Sequence, residues 1–349
     1  MATWERLPPA KSSLESNGLT GAFQGRISLD YLRENLARVD KAVSQTPSID
    51  RFCSSSAWVI PAFESFHVEG EPWLHALDEG FVLLFRGLLE NWGRMLMPLE
   101  ACWCLGNPLV GPDPLALLAA FQALLLEKKS EWDAILLSGF STGSEAWLKL
   151  VGLSRRFLLY QGPATQRCIA SLAGGFEGFL TRRTAKFRNN LRRDRKSAKD
   201  AGVHFVRYNQ PLDLAECHCL FHLIMDIESR CWKGRSGQGV DEGAMRHFYR
   251  RMFHMLAPSG RHRLILAYVD QKAVGYILGG IFEETYRGLQ FSFDAELGHS
   301  GLGNALQAEM IELLSEEGLL WYDLGTDIPY KRRWGERRFE TQTLIMAPR

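Results

Sequence analysis

The chain has 349 residues, of which 46% are hydrophobic and 23% charged, an ordinary globular composition that suffices for one large domain or two of medium size. The 41 Lys and Arg residues nearly balance the 40 Asp and Glu residues, so the net charge of +1 gives no global reason to expect a nucleic-acid or membrane partner. No apolar segment reaches the roughly 20 residues of a membrane span, and the N-terminus lacks a signal-peptide core. Seven cysteines are an odd number in a chain too long to need disulfides, so we expect a cytoplasmic protein with free thiols.

The predicted elements of the first half come in the order helix, strand, strand, helix, strand. Apolar residues with helical spacing mark residues 28–45, and strand-like runs follow over 81–90 and 95–104. A helix opened by proline covers 112–129, and 134–140 has the composition of a buried strand.

A similar order returns nearer the C-terminus. Three strands joined by tight turns are predicted within 263–296, followed by a helix over 302–318 and a short strand over 319–325. Residues 50–160 and 260–346 therefore look like two copies of one unit, built from antiparallel strands, a helix and a further strand.

The second copy carries two glycines, Gly301 and Gly303, directly before its helix. Glycines at a helix N-terminus let the backbone approach an anion such as a phosphate, although on the turn alone a plain helix cap is the preferred explanation, because glycine is common wherever the chain changes direction. The first copy has the sequence LGNPLVGPDP at this place, and its prolines remove backbone donors. If the turn binds an anion, only the second half should do so.

The most basic segment of the chain lies between the two copies. Residues 182–199 contain nine Arg or Lys residues and a single acidic residue, Asp194. The segment can form a helix with one narrow apolar stripe, whose charges are either a solvated face or a contact for a polyanion. A cofactor phosphate, a tRNA or an acidic carrier protein would all meet that description.

Two further patterns give weak support to other chemistries. His218, His222 and Asp226 follow one another at helical spacing, but there is no adjacent glutamate as in a zinc protease, so we predict no metal site. Ser300 has glycine after it but only a partial G-x-S-x-G pattern, which does not support a serine hydrolase.

Two loops carry candidate binding and catalytic groups. Trp232 and Lys233 come where a helix gives way to a glycine-rich loop, and they either face a cleft or cover the edge of the core. Asp323 closes a short strand and is placed either for proton transfer or as a loop cap, with Tyr330 and Lys331 shortly after it.

Five motifs in this order resemble the CelD-like acetyltransferases of the GNAT superfamily, which are relatives of the Fem-type aminoacyl-tRNA-dependent transferases. They are the K-F-R-N-N-L-R-R helix, the E-S-R-C-W-K-G loop, the F-D-A-E strand end, the S-G-L-G turn and D-L-G-T-D-I-P-Y-K-R-R-W. The resemblance covers residues 175–340. It implies an α/β fold with tandem GNAT-like lobes, each a mixed, mostly antiparallel central sheet flanked by helices. We place a degenerate lobe in residues 1–165 and a catalytic lobe in residues 166–349.

The resemblance also implies where the donor and the reacting groups lie. The pyrophosphate of an acyl-CoA would rest on the turn formed by Ser300, Gly301, Leu302, Gly303 and Asn304. Asp294 is the first candidate for accepting the amine proton and Asp323 the second, while Tyr330 would return a proton to the leaving thiolate and Lys331 would hold an anionic group. The residues assigned to substrate binding are Trp232, Lys233, Glu228 and Arg192.

The function that these features imply is N-acyl transfer from acyl-CoA, most simply acetyl-CoA, to a primary amine of a small molecule or peptide. An aminoacyl-tRNA or an acyl carrier protein is an alternative donor, because nine basic residues exceed what the few phosphates of one CoA require. A non-catalytic GNAT-like binding protein is the third alternative.

Overall fold

The computed structural model describes residues 4–9, 23–231, 234, 239–297 and 300–349. The helices are α1 (Leu29–Glu34), α2 (Leu36–Gln45), α3 (Arg51–Ser54), α4 (Ser56–Phe66), α5 (Pro114–Glu127), α6 (Glu145–Gly152), α7 (Gly175–Thr181), α8 (Ala185–Asp200), α9 (Leu214–Arg230), α10 (Gly243–Leu256) and α11 (Leu302–Glu316). The strands are β1 (Glu5–Arg6), β2 (Phe23–Ile27), β3 (Glu71–Leu77), β4 (Gly80–Leu89), β5 (Gly93–Pro98), β6 (Leu109–Val110), β7 (Ala134–Phe140), β8 (Phe157–Gln161), β9 (Thr165–Ser171), β10 (His204–Tyr208), β11 (His262–Val269), β12 (Lys272–Phe282), β13 (Thr285–Phe293), β14 (Trp321–Thr326) and β15 (Arg337–Pro348).

The chain forms two compact units. The first consists of residues 1–165 together with 340–349, and the second of residues 166–339. The last ten residues therefore belong to the first unit, and their assignment to the C-terminal lobe was wrong. The physical reason is strand pairing, because residues 342–348 of β15 form antiparallel ladders with β7 and β8.

The first unit is built on a mixed sheet. Strands β2, β3, β4 and β5 pair antiparallel in sequence order, and β5 then pairs parallel with β7. Helices α5 and α6 supply apolar side chains to the core on this sheet, among them Phe121 and Trp147. Helix α5 begins where Pro114 follows the capping residue Asp113, whose carboxylate accepts bonds from two backbone N–H groups.

The second unit repeats this topology. Strands β10, β11, β12 and β13 pair antiparallel, β13 pairs parallel with β14, and β14 pairs antiparallel with β9. Successive residues of β12 face opposite sides of the sheet: Gly275 lies against α11, whereas the Tyr276 hydroxyl bonds to Glu228 of α9. Helices thus flank the sheet on both faces, and the predicted α/β class with two lobes and mixed, mostly antiparallel sheets is confirmed.

Two predicted elements of the first half differ from the structure. The helix expected over 28–45 is broken at Asn35, which ends α1 and begins α2. The strand expected over 95–104 stops at Pro98, and the following residues form turns in which Cys104 has a φ of 55°. Proline has no N–H for a ladder, which accounts for the early end of the strand.

No helix in the described parts of the chain combines the length and the apolar character needed to cross a membrane. The longest described helix, α9, has 17 residues and carries charged side chains along one face. Its N-terminus has a capping box, in which Asp213 and Glu216 each bond the other's backbone N–H.

Candidate active site

The parallel strands β13 and β14 of the second unit separate soon after they begin. They pair only where Thr285–Arg287 meets Trp321–Asp323. Beyond Arg287, β13 contains a bulge at Leu289, since the ladder with β12 pairs Gly279 with Gly288 and then skips to Leu278 and Gln290. A bulge bends its strand, so the edge of β13 facing β14 is left without a strand partner in the part of the chain that the structure describes.

A cleft of about 500 Å³, including its open mouth, occupies this divergence, and we call it the fork cleft. Apolar and polar groups share its walls about equally, and the polar side chains come from four separate elements or loops. The lining residues are Ile277, Leu278, Gly288, Leu289, Gln290, Phe291, Gln307, Tyr322, Leu324, Tyr330 and Lys331. A concavity in which polar groups converge between apolar walls is a usual form of a small-molecule site.

Tyr330 and Lys331, both predicted as catalytic residues, lie together in the fork cleft. Burial raises the pKa of the Tyr330 phenol, and the nearby Arg333 charge opposes that effect without cancelling it. A phenol in this state stays protonated near neutral pH and can donate its proton. The Lys331 ammonium lies 5.9 Å from the centre of the Tyr330 ring.

Asp323 stands at the last position where β14 pairs with β13 and is 6% exposed. Its carboxylate accepts a 2.6 Å bond from Arg287 and a 2.8 Å bond from the Gly325 N–H, and Arg167 lies 3.9 Å away. Burial alone would raise the pKa of Asp323, but the two guanidinium groups and the N–H outweigh burial and lower it. The carboxylate is therefore ionised and held in place where β13 and β14 part, behind the residues that line the fork cleft.

Asp294 lies at the far end of β13, away from the fork cleft. It is 4% exposed, and its carboxylate is 3.1 Å from Arg230 and 3.6 Å from Lys272. Burial acts to raise the pKa of Asp294, but the Glu296 N–H and the two cations lower it on balance. Five residues of strand separate Asp294 from the bulge at Leu289, which corresponds to roughly 16 Å.

The glycine turn before α11 ends in an N-terminus without a side-chain cap. Gly301 is the N-cap residue with a φ of 74°, a left-handed value that favours glycine. The corresponding helix of the first unit, α5, already has two of its N–H groups bonded by Asp113. This contrast agrees with the expectation that only the second half presents backbone donors to an anion.

The two glycines of this turn also have packing reasons. A Cβ on Gly301 would lie 2.7 Å from the Cβ of Asp194 in α8, and one on Gly303 would lie 2.8 Å from the Phe293 ring. The Asp194 carboxylate accepts a 2.6 Å bond from the Asn304 side chain. The hydroxyl of Ser300 is bonded to the Leu297 carbonyl, and Leu302 is buried in the core.

A second cleft of about 560 Å³, which we call the α8 cleft, lies between α8 and the start of α11. Its floor includes the aromatic rings of Phe187 and Trp334, and Lys186, Arg333 and Asn304 supply polar groups. The remaining lining residues are Thr184, Asn190 and Leu191. Two cations beside an uncapped helix N-terminus form an environment that suits phosphate oxygens.

Intramolecular ion pairs neutralise part of the basic segment that the sequence singles out. Arg182 and Arg183 both pair with Glu336, and Arg195 pairs with Glu312 at 2.6 Å. Besides Lys186 of the α8 cleft, four cations remain exposed on α8: Arg192, Arg193, Lys196 and Lys199, of which Arg193 lies 3.7 Å from Asp194. The cationic surface is therefore smaller than the count of nine indicates.

Of the predicted substrate-binding residues that the structure describes, neither Glu228 nor Arg192 lines the fork cleft. Glu228 is fully buried, and its carboxylate accepts a 2.5 Å bond from Tyr276 and lies 3.6 Å from the Cys231 thiol. Arg192 is exposed and bonds to Asn189 of its own helix. Trp232 and Lys233 lie outside the described residues. A binding role for these four residues stays a prediction.

Two residues of the fork cleft, Gln307 and Tyr322, were not predicted from the sequence. Gln307 is the one polar side chain among the buried residues of α11, and Tyr322 projects from β14 on the side opposite to Asp323. A glutamine in the middle of an apolar helical stripe was a signal available in the sequence. Tyr322 gave none, because aromatic residues in strands are common.

The described residues hold no group of three or more His, Cys, Asp or Glu side chains placed to bind a metal ion. His218 does lie near His222 and His254, with ring centres 6.1 and 5.3 Å apart. Asp226, however, pairs with Arg230.

The first unit has no open fork at the equivalent place in the described chain. Its parallel pair, β5 and β7, is covered by a loop in which Gly106 packs on Gly139 and accepts a 2.8 Å bond from Ser138. The buried Glu100 holds that loop through the N–H groups of Leu105 and Gly106.

Comparison with known proteins gives one family match and three similar solved structures. Residues 185–332 match the acetyltransferase (GNAT) domain family. FemX shares the fold with a TM-score of 0.62 at 12% identity, covering 91% of this chain and 97% of its own. A conserved protein of unknown function from Bacteroides thetaiotaomicron (TM-score 0.56, 15% identity, 90% and 98% covered) and L-PGS from Bacillus licheniformis (TM-score 0.54, 11% identity, 88% and 90% covered) share it too. No curated protein matches the sequence.

Proposed function

We propose that this chain, whose residues 185–332 are a GNAT-type acetyltransferase domain, transfers an acyl group from an acyl-CoA to a primary amine of a small molecule or peptide. The resemblance to the GNAT superfamily in the sequence is confirmed by the family match, and an acyltransferase is the enzyme class that goes with it. The donor, the acceptor and the residue roles below are proposals. The observation that carries them is the fork cleft, where two parallel strands part over a bulge.

The shape of the fork cleft supports a donor with a thin, extended arm. The open edge of β13 beyond Arg287 offers backbone groups at strand spacing, and an arm containing amides can pair with such an edge as an added strand would. The pantetheine arm of CoA has this chemistry. Its phosphates would lie at the uncapped N-terminus of α11, near Lys186 and Arg333 of the α8 cleft.

The proposed reaction is direct attack of the amine on the thioester. The amine nitrogen forms a bond to the carbonyl carbon, and the resulting oxyanion accepts bonds from N–H groups on the bulged edge near Leu289. When the C–S bond breaks, the Tyr330 hydroxyl gives its proton to the departing thiolate. Lys331 supplies positive charge for an anionic group of the acceptor.

Of the two carboxylates that are candidates for the base, the geometry around the fork cleft favours Asp323. It stands where β13 and β14 part, next in sequence to Tyr322 and Leu324 of the fork cleft, whereas Asp294 is roughly 16 Å of strand away from the bulge and is held by Arg230. Asp323 is ionised and buried, so it would receive the proton of the amine through a water molecule. Asp294 would then hold the end of α9 to β13 through its ion pair with Arg230.

The first unit fits the role of a degenerate lobe. Its parallel strands are covered by the loop held by Glu100, and its helix α5 has a capping aspartate where the second unit has an open turn. The described residues of the first unit offer no equivalent place for an extended donor arm or a pyrophosphate. We therefore assign catalysis to the second unit.

A second candidate donor is an aminoacyl-tRNA or an acyl carrier protein. The four exposed cations of α8 support it, because they lie outside both clefts and a single CoA would leave them unused. The fold shared with FemX is consistent with this candidate, since the sequence resemblance extends to Fem-type transferases. The fork cleft itself would receive the acyl or aminoacyl end of either donor.

The experiment that tests the proposal is a turnover assay. The protein is incubated with acetyl-CoA and longer acyl-CoAs together with a panel of amino sugars, polyamines, amino acids and peptides, and release of free CoA is followed. Amine-dependent CoA release that is lost in Tyr330→Phe supports the proposal. Transfer from aminoacyl-tRNA or acyl carrier protein, with no transfer from any acyl-CoA, would show that the donor is not acyl-CoA.

A further inference from the structure

Gln307 is a buried residue whose side-chain amide is poorly satisfied by hydrogen bonds. It is 6% exposed, and its side-chain nitrogen makes no full hydrogen bond among the described residues, although the amide interacts with the Tyr322 phenol and acts to lower the pKa of that phenol. The other buried residues of α11 are apolar. Buried side-chain amides are nearly always bonded, because an amide that leaves water without a new partner destabilises the fold.

The same side chain lines the fork cleft, next to Tyr322. Burial raises the pKa of the Tyr322 phenol far above its usual range, so the hydroxyl stays protonated. The Tyr322 ring lies against Gly288, where a Cβ would be 3.0 Å from the hydroxyl oxygen. Gln307 and Tyr322 thus bring an amide and a phenol to one part of the cleft, and no carboxylate lines it among the described residues.

A ligand group that satisfies two neutral donors is an uncharged oxygen acceptor. We propose that Gln307, assisted by Tyr322, donates a hydrogen bond to a carbonyl oxygen of the bound donor and so positions the donor in the fork cleft. This inference rests on the proposed acyl-CoA function and adds a donor-positioning residue to it. The carbonyl belongs either to the thioester or to an amide of the pantetheine arm.

The test compares Gln307→Met with the wild-type protein by calorimetric titration with acetyl-CoA and with CoA. Methionine keeps the length of the side chain but cannot donate a hydrogen bond. We expect acetyl-CoA to bind about tenfold more weakly, the effect of losing one hydrogen bond. The melting temperature should stay the same or rise, because an unbonded buried amide has been removed. Gln45→Met, at an exposed glutamine of α2, is the control.

The choice of ligand identifies the carbonyl. Weaker binding of acetyl-CoA alone assigns the hydrogen bond to the thioester carbonyl. Equally weakened binding of CoA assigns it to an amide of the pantetheine arm. Both results support the proposal. Gln307→Glu, which keeps the shape but presents acceptor oxygens, should show the same loss. Wild-type affinity in both Gln307 variants, especially with a lower melting temperature, would make the amide structural and overturn the inference alone. Absence of CoA binding by the wild-type protein would overturn the proposed function as well.

Discussion

At the scale of single residues, the two candidate carboxylates differ in how exposed their cationic partners are. Asp323 is buried with Arg287 and Arg167, whose side chains are 6% and 1% exposed. Asp294 pairs with Arg230 and Lys272, which keep 23% and 59% of their side-chain surface exposed. Removing a carboxylate from a fully buried pair is far more costly than removing one whose partners reach solvent.

This difference predicts unequal effects on stability. We expect Asp323→Asn to lower the free energy of unfolding by about 3–5 kcal/mol, since it leaves two buried guanidinium groups without their anion. Asp294→Asn, the matched control, should cost about 1 kcal/mol. Urea unfolding at pH 7.5 measures both, and equal losses would mean that Asp323 is not the anion on which the buried arginines depend.

The lowered pKa values of both carboxylates also predict the pH dependence of turnover. Both groups stay ionised above their depressed pKa values, so neither should give kcat/KM an acidic limb between pH 5 and pH 7. The rate should instead rise with pH as the acceptor amine, with a pKa near 10 if it resembles lysine, loses its proton. A limb near pH 6–7 that disappears in Asp323→Asn would show that this carboxylate titrates during turnover.

At the scale of elements, α8 contributes to two surfaces. Lys186 near its first turn lines the α8 cleft, whereas Lys199 near its end is exposed outside that cleft. Charge reversal at each position changes the net charge by the same amount. The two variants therefore separate contact with phosphate from a general electrostatic effect.

We expect Lys186→Glu to weaken acyl-CoA binding about tenfold, because it places a carboxylate where phosphate oxygens would lie. Lys199→Glu should leave the dissociation constant within twofold. Calorimetry at two salt concentrations measures both. Equal weakening by the two variants would indicate a diffuse attraction, as expected for a larger polyanionic donor.

The sequence predicted the elements with clear periodicity and missed those decided by distant contacts. The strands and helices on both sides of the glycine turn were found, because apolar spacing and capping residues are local signals. Helix α4 and strand β3 were missed, and β15 could not be assigned to the first unit, since strand pairing across the chain leaves no local pattern.

The candidate site was predicted in part for the same reason. Tyr330 and Lys331 do reach the fork cleft, but the position of Asp294 beside Arg230 depends on packing between α9 and β13. The bulge at Leu289 is a property of the β12 and β13 ladder, so it was not visible in one strand alone. Gln307 was not predicted as a site residue, because it lies within the apolar helical stripe that predicted α11.

At the scale of the whole molecule, two buried histidines link stability to pH. His75 of the first unit and His262 of the second are 3% and 0% exposed, and neither has a hydrogen-bond partner in the described chain. Burial lowers the pKa of each from 6.5 to about 4. Each folded unit therefore holds its histidine in the neutral form.

The sign of the effect follows from the lowered pKa. Above pH 6.5 the histidines are neutral in both folded and unfolded chains, and as pH falls towards 4 only the unfolded chain gains their protons. We expect each histidine to reduce the free energy of unfolding by up to about 3 kcal/mol over that interval. Urea titrations from pH 7.5 to pH 4.5 measure the loss, which His262→Leu should reduce. An unchanged slope in the variant would contradict this assignment.

The central claim is that the acyl donor binds in the fork cleft, and the most direct test is a substitution that fills this cleft. Leu289→Trp places a large ring in the cleft, and Leu320→Trp makes the same change at a leucine that is 43% exposed and outside the cleft. Calorimetry with acetyl-CoA should give binding to the wild-type protein and to Leu320→Trp with similar affinity, and at least tenfold weaker binding to Leu289→Trp. Wild-type affinity in Leu289→Trp, or no binding of acetyl-CoA to the wild-type protein, would contradict a donor site in the fork cleft.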